Sequence, residues 1–482
     1  MSQHQRKPAS ARDAGWLMAS DGAAVVLAFV GQMILTHMLL AEHYGWYVVA
    51  IDLYASFFLI IDLGLPTILT RDGAKRPSAV VSAVHRIYRY QFIAFAGFLV
   101  LLLMVKPHRL FEFTPPLALL WTCASIALVH IASYAPRSGL RVLGEARLES
   151  MTKILERFVT TSGYGLCAWF GITSVEVYAS CFFIGALVGW LSSLIMLYRI
   201  APVGGPRDLL DLGQAWVTTK HMLLAALPFA LTLAVLPYIV RIEKFVLAIH
   251  YPSETIAIYH VAQLAWLAGN LAPAAMRAAL LPVLGVSKDN PSEFNRQMQA
   301  SLDISLGLTG VGVVFGYSIV RLLLPIAFPS EYLDGTHGAS ALDIFTLLLF
   351  GWACTLLSTP FYTAIIAGDY PWRFPLFVLS VLSFAAFIGW LCIVILPNNA
   401  TSALYGAGLA SSLSACLLLC LSVVVSRQYD LFRMNRNQLG FVLVCVAIMC
   451  LSWFNHSWMW VLGLASLRFI PQGLRAIRTT IA

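Results

Sequence analysis

The side chains in this sequence that could do chemistry are ionisable groups standing inside long apolar runs. Asp21, Asp52 and Asp62 fall in the first two runs, and Arg241-x-Glu243-Lys244 forms a tight group in the seventh. A charge at mid-bilayer is expensive, so such residues face a wet cavity, a partner charge or an ion pathway. At 1.5 Å of rise per residue, Asp21 and Asp62 lie about 10 Å in from one membrane face. Asp62 stands beside Gly64 and Pro66, and both aspartates can mark the ends of a polar cavity. Asp52 lies roughly 9 Å below the opposite face, at nearly the depth of the Arg241 group. A pair from Asp52 to Arg241 or Lys244 would latch that side. The rival arrangement has Arg241 and Lys244 snorkelling to the headgroups. These six residues are the candidates for a substrate cavity or gate, where Arg241 and Lys244 would attract an anion.

A second group, Glu149, Lys153, Glu156 and Arg157, opens the fifth run. Spacings of three and four put these residues on neighbouring turns, where they can pair with one another. Lys153 and Arg157 also suit a cationic rim at a cytoplasmic entrance, meeting a phosphorylated headgroup. His130 and His260 could relay protons or simply hydrogen-bond within the packing. Asp303 and Asp343 sit near the ends of runs. No P-loop, HExxH, GxSxG or DxD-like cluster is present, and no loop exceeds about twenty residues, so no catalytic residue or metal site is assigned and the chain does not read as an enzyme. All nine cysteines lie inside apolar runs, as small buried residues rather than a disulfide or zinc framework.

The elements that must position these groups are membrane-spanning helices. Of 482 residues, 59% are apolar and 11% charged, where a soluble chain carries roughly 25% charged residues. Mean hydropathy is +0.79. These figures exclude a soluble enzyme, a disordered scaffold and a secreted disulfide framework. With about 20 apolar residues per crossing, fourteen spans are predicted near 15–38, 46–69, 87–105, 116–136, 154–173, 177–198, 219–248, 255–281, 300–324, 339–366, 374–396, 401–425, 438–454 and 457–474. With the N-terminus inside, all but Lys106, Arg109, Arg241, Lys244 and Arg321 of the 31 Lys and Arg fall on the cytoplasmic side. That asymmetry supports an even number of spans in the cytoplasmic (inner) membrane with both termini cytoplasmic. It also accounts for the net charge of +8 without nucleic acid as a partner. The sixteen polar and basic residues at the start do not read as a cleavable signal peptide.

A Gly/Pro-containing stretch at 201–218 divides the chain. Leu40-Ala41-Glu42-His43-Tyr44 ends the first span, and Leu247-Ala248-Ile249-His250-Tyr251 ends the seventh, a four-of-five match at an offset of 207. Both fall at the same outer corner, as in parallel repeats. The fold expected is therefore an all-α polytopic membrane protein of about 14 transmembrane helices. It comprises a six-helix lobe over 1–200, a cytoplasmic linker over 201–218, a second six-helix lobe over 219–426, and a further helix pair with a cytoplasmic tail over 427–482. Gly185-x-x-x-Gly189 and Gly312-x-x-x-Gly316 offer close packing seams. Pro66, Pro228 and Pro237 permit kinks. Tyr44, Trp46, Tyr47 and Tyr54, with Trp453, Trp458 and Trp460, fit an interfacial aromatic belt.

His43-Tyr44-Gly45, the run ending Asp62-Leu63-Gly64-Leu65, and Thr70-Arg71-Asp72-Gly73-Ala74-Lys75 resemble the opening of the polysaccharide transporters. Arg241-Ile-Glu243-Lys244-Phe-Val-Leu247 and Ile256-Ala-Ile258-Tyr259-His-Val-Ala262 are similar to that family's acidic-basic pair in span 7 and its entrance to span 8. These transporters are Wzx-type flippases of lipid-linked oligosaccharides, within the multidrug/oligosaccharidyl-lipid/polysaccharide (MOP) superfamily. Glu243 stands where the family more often has Asp, and Ala257 or Ile258 where Gly is usual. The resemblance, over spans 1–12, implies alternating access between two lobes. It implies a polyprenyl-diphosphate-linked oligosaccharide as substrate, with membrane lipids, a polysaccharide polymerase and glycosyltransferases as partners. It implies no cofactor beyond H+ or Na+ as coupling ion, for which Asp21, Asp52 and Asp62 are the candidates. Three other readings compete: a cation-coupled drug antiporter of the same superfamily, which needs an acidic cavity; a peptidoglycan-precursor flippase, which needs arginines in span 1; and a membrane glycosyltransferase, which needs a large outer loop.

Overall fold

In the computed structural model, described for residues 11–56, 62, 64–227, 239, 241–287, 290–336, 339–367, 373–428, 436, 438–443 and 457–481, the chain is helical and holds no strand among those residues. Eight helices among them are long and apolar enough to cross a membrane. The chain forms two compact units, one of residues 1–238 with 252–254, the other of 239–251 with 255–482. Pro228, Pro237 and Trp453, and most of the thirteenth span, lie outside the described residues.

The first unit contains α1 (Ala11–Met38), α2 (Ala41–Ser56), α3 (Leu65–Asp72), α4 (Val80–Val105), α5 (Leu117–Val142), α6 (Ala146–Trp169) and α7 (Val175–Ile200). α6 packs along both α1 and α7, and α7 also lies against α5. The second span, expected as one helix over 46–69, is interrupted. Gly64 takes a left-handed conformation at φ 66° before α3, with Pro66 in α3's first turn. Glycine adopts this conformation without a Cβ penalty, and the proline's missing N–H does no harm at a helix start.

The stretch read as a linker is folded onto this unit. Its 3-10 turns, Pro206–Leu212 and Gln214–Trp216, bury Leu212 and Trp216 in an apolar core with Leu65, Ile68, Leu69, Val80, Ile87 and Leu197.

The second unit contains α8 (Ile242–His250), all but the first two residues of α9 (Ser253–Gly269), α10 (Leu271–Ser287), α11 (Pro291–Ala327), α12 (Ala341–Ala367), α13 (Arg373–Trp390) and α14 (Ala400–Gln428), then a 3-10 stretch Ser457–Arg468 and α15 (Phe469–Ile481). The eighth span, expected as one helix over 255–281, is also broken, at Asn270, with Pro273 as the third residue of α10. A proline there cannot donate to the carbonyl four residues back. Pro273 follows Pro66 at the offset of 207 that separates the two Leu-Ala-x-His-Tyr corners, so both units break the same helix at the same place.

α11 is longer than the 300–324 expected. Its 37 residues start at Pro291, with the Asn290 side chain capping Glu293 N–H. At 1.5 Å per residue it is about 55 Å long, well beyond a hydrocarbon core. The final segment lies antiparallel on it: Gly463 meets Gly310 and Val314, Ile470 meets Gly307, and Gly473 meets Ala300 and Ile304.

Candidate functional site

Lys153 on α6 places Nζ 3.2 Å from Asp21 Oδ1 on α1 and 3.3 Å from Glu149 Oε1. Glu149, whose side chain is buried, also accepts from Arg141 Nε at 2.9 Å and Nη2 at 2.5 Å. The fork-to-carboxylate geometry makes this the stronger of Glu149's partnerships. Lys153 at the expected cytoplasmic entrance is thus committed to two acids. Arg147 stacks over Trp16 on the same α1–α6 seam, 5.5 Å from the ring centre.

One level deeper, the expected pairing of Glu156 with its own helix gives way to pairing with α5. Arg137 Nη2 donates to Glu156 Oε2 at 2.6 Å, and His130 Nδ1 lies 3.1 Å from Oε1. Tyr134 meets the His130 ring edge-on at 5.5 Å. Gly189 of α7 closes this triad. A Cβ there would stand 2.7 Å from Glu156 Oε2 and 3.0 Å from Arg137 Nη2, so the Gly185-x-x-x-Gly189 seam makes room for a buried ion pair. Arg137 was not singled out from sequence because the fourth span was closed at 136. α5 in fact runs to Val142, which carries Arg137 inside. Arg157, half-buried, lies over the Phe182 ring at 5.4 Å and makes no ion pair among the described residues.

Asp52 and Asp62 are both buried, at 7% and 4% exposure. Asp62, beside the Gly64 break, accepts from Gln91 Nε2 at 3.4 Å.

At the inner end of the first unit, Asp72 holds the linker. Arg71 and Lys75 pair with it at 2.9 and 3.3 Å, and Trp216 Nε1 donates to Oδ2 at 3.2 Å. Arg86 Nη1 donates to the Trp216 carbonyl at 2.5 Å, and Arg76 reaches Asp208 and Asp211. Burial by itself would raise the Asp72 carboxyl. The hydrogen bonds and charges of Arg71, Lys75 and Trp216 outweigh it and hold the group below the usual aspartate value.

In the second unit, the seventh-span group is built on α8. Lys244 is 3% exposed and directs Nζ to His260 Nδ1 at 3.1 Å. Its amine is thus turned inward to α9, where the rival snorkelling arrangement would carry it to the headgroups. Arg241, at the N-cap of α8, is half-buried. Glu243 is 0% exposed, and neither carboxylate oxygen has a hydrogen-bond donor among the described residues. A buried carboxyl in that state is stable only if it is neutral or holds an ion or water that satisfies it.

The structure thus gathers Asp21, Lys153 and Glu149 into one network and Glu156, Arg137 and His130 into another, with Arg157 on the ring of Phe182. It sets Lys244 on His260 and leaves Glu243 enclosed.

Three kinds of comparison bear on what this arrangement is for. Among solved structures, the fold is similar to an inward-facing multidrug resistance MATE family transporter of the MOP superfamily (TM-score 0.63, 14% identity, 84% of this chain and 95% of the other). It is also similar to an outward-facing transporter of the same description (TM-score 0.57, 15% identity, 87% and 95%). The lipid II flippase MurJ in an inward closed conformation matches over 95% of this chain and 99% of its own (TM-score 0.56, 13% identity). No curated protein matches by sequence. The family model described as polysaccharide biosynthesis protein matches residues 10–287. That match covers the first unit, the Asp72 clasp, the Arg241-Glu243-Lys244 group and both helix breaks, and by it this chain, with its MOP-type fold, belongs to the polysaccharide biosynthesis protein family.

Proposed function

We propose that this protein carries a polyprenyl-diphosphate-linked oligosaccharide across the cytoplasmic membrane by alternating access, for assembly of a surface polysaccharide. The observation that carries this reading is the charge balance inside the first unit. Asp21, Glu149 and Glu156 are each taken by Lys153, Arg141 or Arg137, while Arg157 lies half-buried against an aromatic ring with no acid bound to it among the described residues. An uncommitted guanidinium inside a span suits a diphosphate, which it can bind with two parallel hydrogen bonds. A drug antiporter for organic cations would want an acidic cavity without such a guanidinium, and in the present reading the buried Asp62 serves the coupling ion instead.

In this reading Asp62 and Glu243, each buried without a cationic partner at hydrogen-bond distance among the described residues, are the groups through which H+ or Na+ couples to transport. Membrane lipids, a polysaccharide polymerase and glycosyltransferases are the partners, and both termini are cytoplasmic.

The test is a lipid analysis of a strain lacking the protein. Accumulation of the lipid-linked unit on the cytoplasmic side with loss of surface polymer supports the reading, and Arg157→Ala then reproduces both effects. Unchanged lipid and polymer, with raised sensitivity to cationic dyes, would overturn it in favour of the antiporter.

A further inference from the structure

The break between α9 and α10 carries three buried polar atoms that nothing among the described residues satisfies. Trp266 and Trp352 are 7% and 5% exposed, and among the described residues the Nε1–H of each has no acceptor and Asn270 Oδ1, also enclosed, has no donor. Trp266, Gly269 and Asn270 are spaced three and four apart, so they share one face of the helix at the break. Trp352 of α12 arrives at the same face. A Cβ at Gly269 would stand 2.9 Å from its Nε1, and one at Gly312 on α11 would collide with the far side of its ring, 2.1 Å from Cη2. Two glycines on two helices therefore form a slot that fixes the indole, yet its N–H is left unused. Each enclosed donor or acceptor without a partner destabilises the fold, and three at one helix break make a site awaiting a ligand.

The chemistry of that ligand follows from the atoms. The site offers two donors, one acceptor and indole surface, and Trp266, Asn270 and Trp352 are all uncharged. A phosphate would need cations. A hydroxyl both donates and accepts, and neighbouring hydroxyls on a ring with apolar C–H faces answer both the hydrogen-bonding groups and the aromatic walls. We infer that Trp266, Asn270 and Trp352 form a sugar-recognition subsite in the second unit, binding hydroxyls of the oligosaccharide rather than its diphosphate. This rests on the lipid-linked oligosaccharide reading above. The three atoms are shut off from solvent in the conformation described, so the subsite fills when the Gly269–Asn270 break changes its bend.

Purified full-length protein in lipid nanodiscs is titrated with two probes: bare polyprenyl diphosphate, and polyprenyl diphosphate oligosaccharide extracted from the strain lacking the transporter. Trp266→Phe, Trp352→Phe and Asn270→Ala are each expected to weaken the oligosaccharide lipid about five- to tenfold, the loss of one hydrogen bond, and to leave the bare lipid unchanged. Retained binding of the bare lipid shows that a variant is folded. Should a variant fail to fold, resonance Raman spectra of the unaltered protein read the indole N–H directly. A shift to the hydrogen-bonded form with the oligosaccharide lipid, and none with the bare lipid, supports the subsite. If the wild-type protein binds the oligosaccharide lipid more tightly than the bare lipid but the variants keep that preference, or the spectra do not move, the subsite is wrong and the site holds ordered water. If the wild type binds neither lipid, the transport reading itself falls.

Discussion

Arg137 and Glu156 show what a buried pair demands of its surroundings. Side chains of 7% and 2% exposure leave almost no water to take over if one partner is lost. Arg137→Ala should therefore cost roughly 3–5 kcal/mol, read as a fall in Tm of the detergent-solubilised protein. The double change Arg137→Met with Glu156→Leu should recover most of the loss. Gly189→Val should lower Tm as well, because its side chain must displace the Glu156 carboxylate. Glu243 predicts the opposite pattern. Glu243→Gln removes an unsatisfied carboxyl at constant size, so Tm should hold or rise while transport loses its dependence on the ion gradient in a vesicle assay. At this scale the sequence made the intramembrane acids visible, since a charge inside an apolar run stands out whatever its partner. It hid the partners. Arg137 sat just past an assumed helix end, and Trp352 was one apolar residue in a long apolar run, with an N–H whose lack of an acceptor only the packing reveals.

The clasp at Asp72 joins elements 144 residues apart in the chain, its Oδ2 held by Trp216 Nε1, so no local pattern announces it. Its pH response can be given a sign. The Asp72 value is depressed in the fold, so its stabilising share is full above the unfolded aspartate value of about 4 and is lost as pH falls below that. Trypsin should therefore cut at Arg207 slowly at neutral pH and much faster in Asp72→Asn. Equal rates in the two proteins would mean that the clasp does not order the linker. The broken helices make a second prediction. Pro66→Ala and Pro273→Ala each restore an amide N–H beside the break, and each should slow lipid translocation about tenfold with little change in expression, as stiffened hinges do. Hydropathy shows an unbroken run at both places and so predicted single helices. Pro66 was legible as a kink, whereas Pro273, in an unbroken apolar run, was not singled out.

The all-α class and its membrane-length apolar helices, eight of them among the described residues, were legible in the sequence, and the repeat rested on four matching residues at each outer corner. Steric exclusion from water writes such features into composition, while hydrogen-bond satisfaction and packing do not. The repeat extends past those corners to a shared irregularity, the helix broken at Gly64–Pro66 in one unit and at Asn270–Pro273 in the other. Gly64 is replaced by a non-glycine counterpart in the second unit, so the two breaks are built from different residues. The two bends thus arise from different local chemistry at matching positions, so a substitution that straightens one leaves the residues of the other untouched, and each corner can be stiffened on its own.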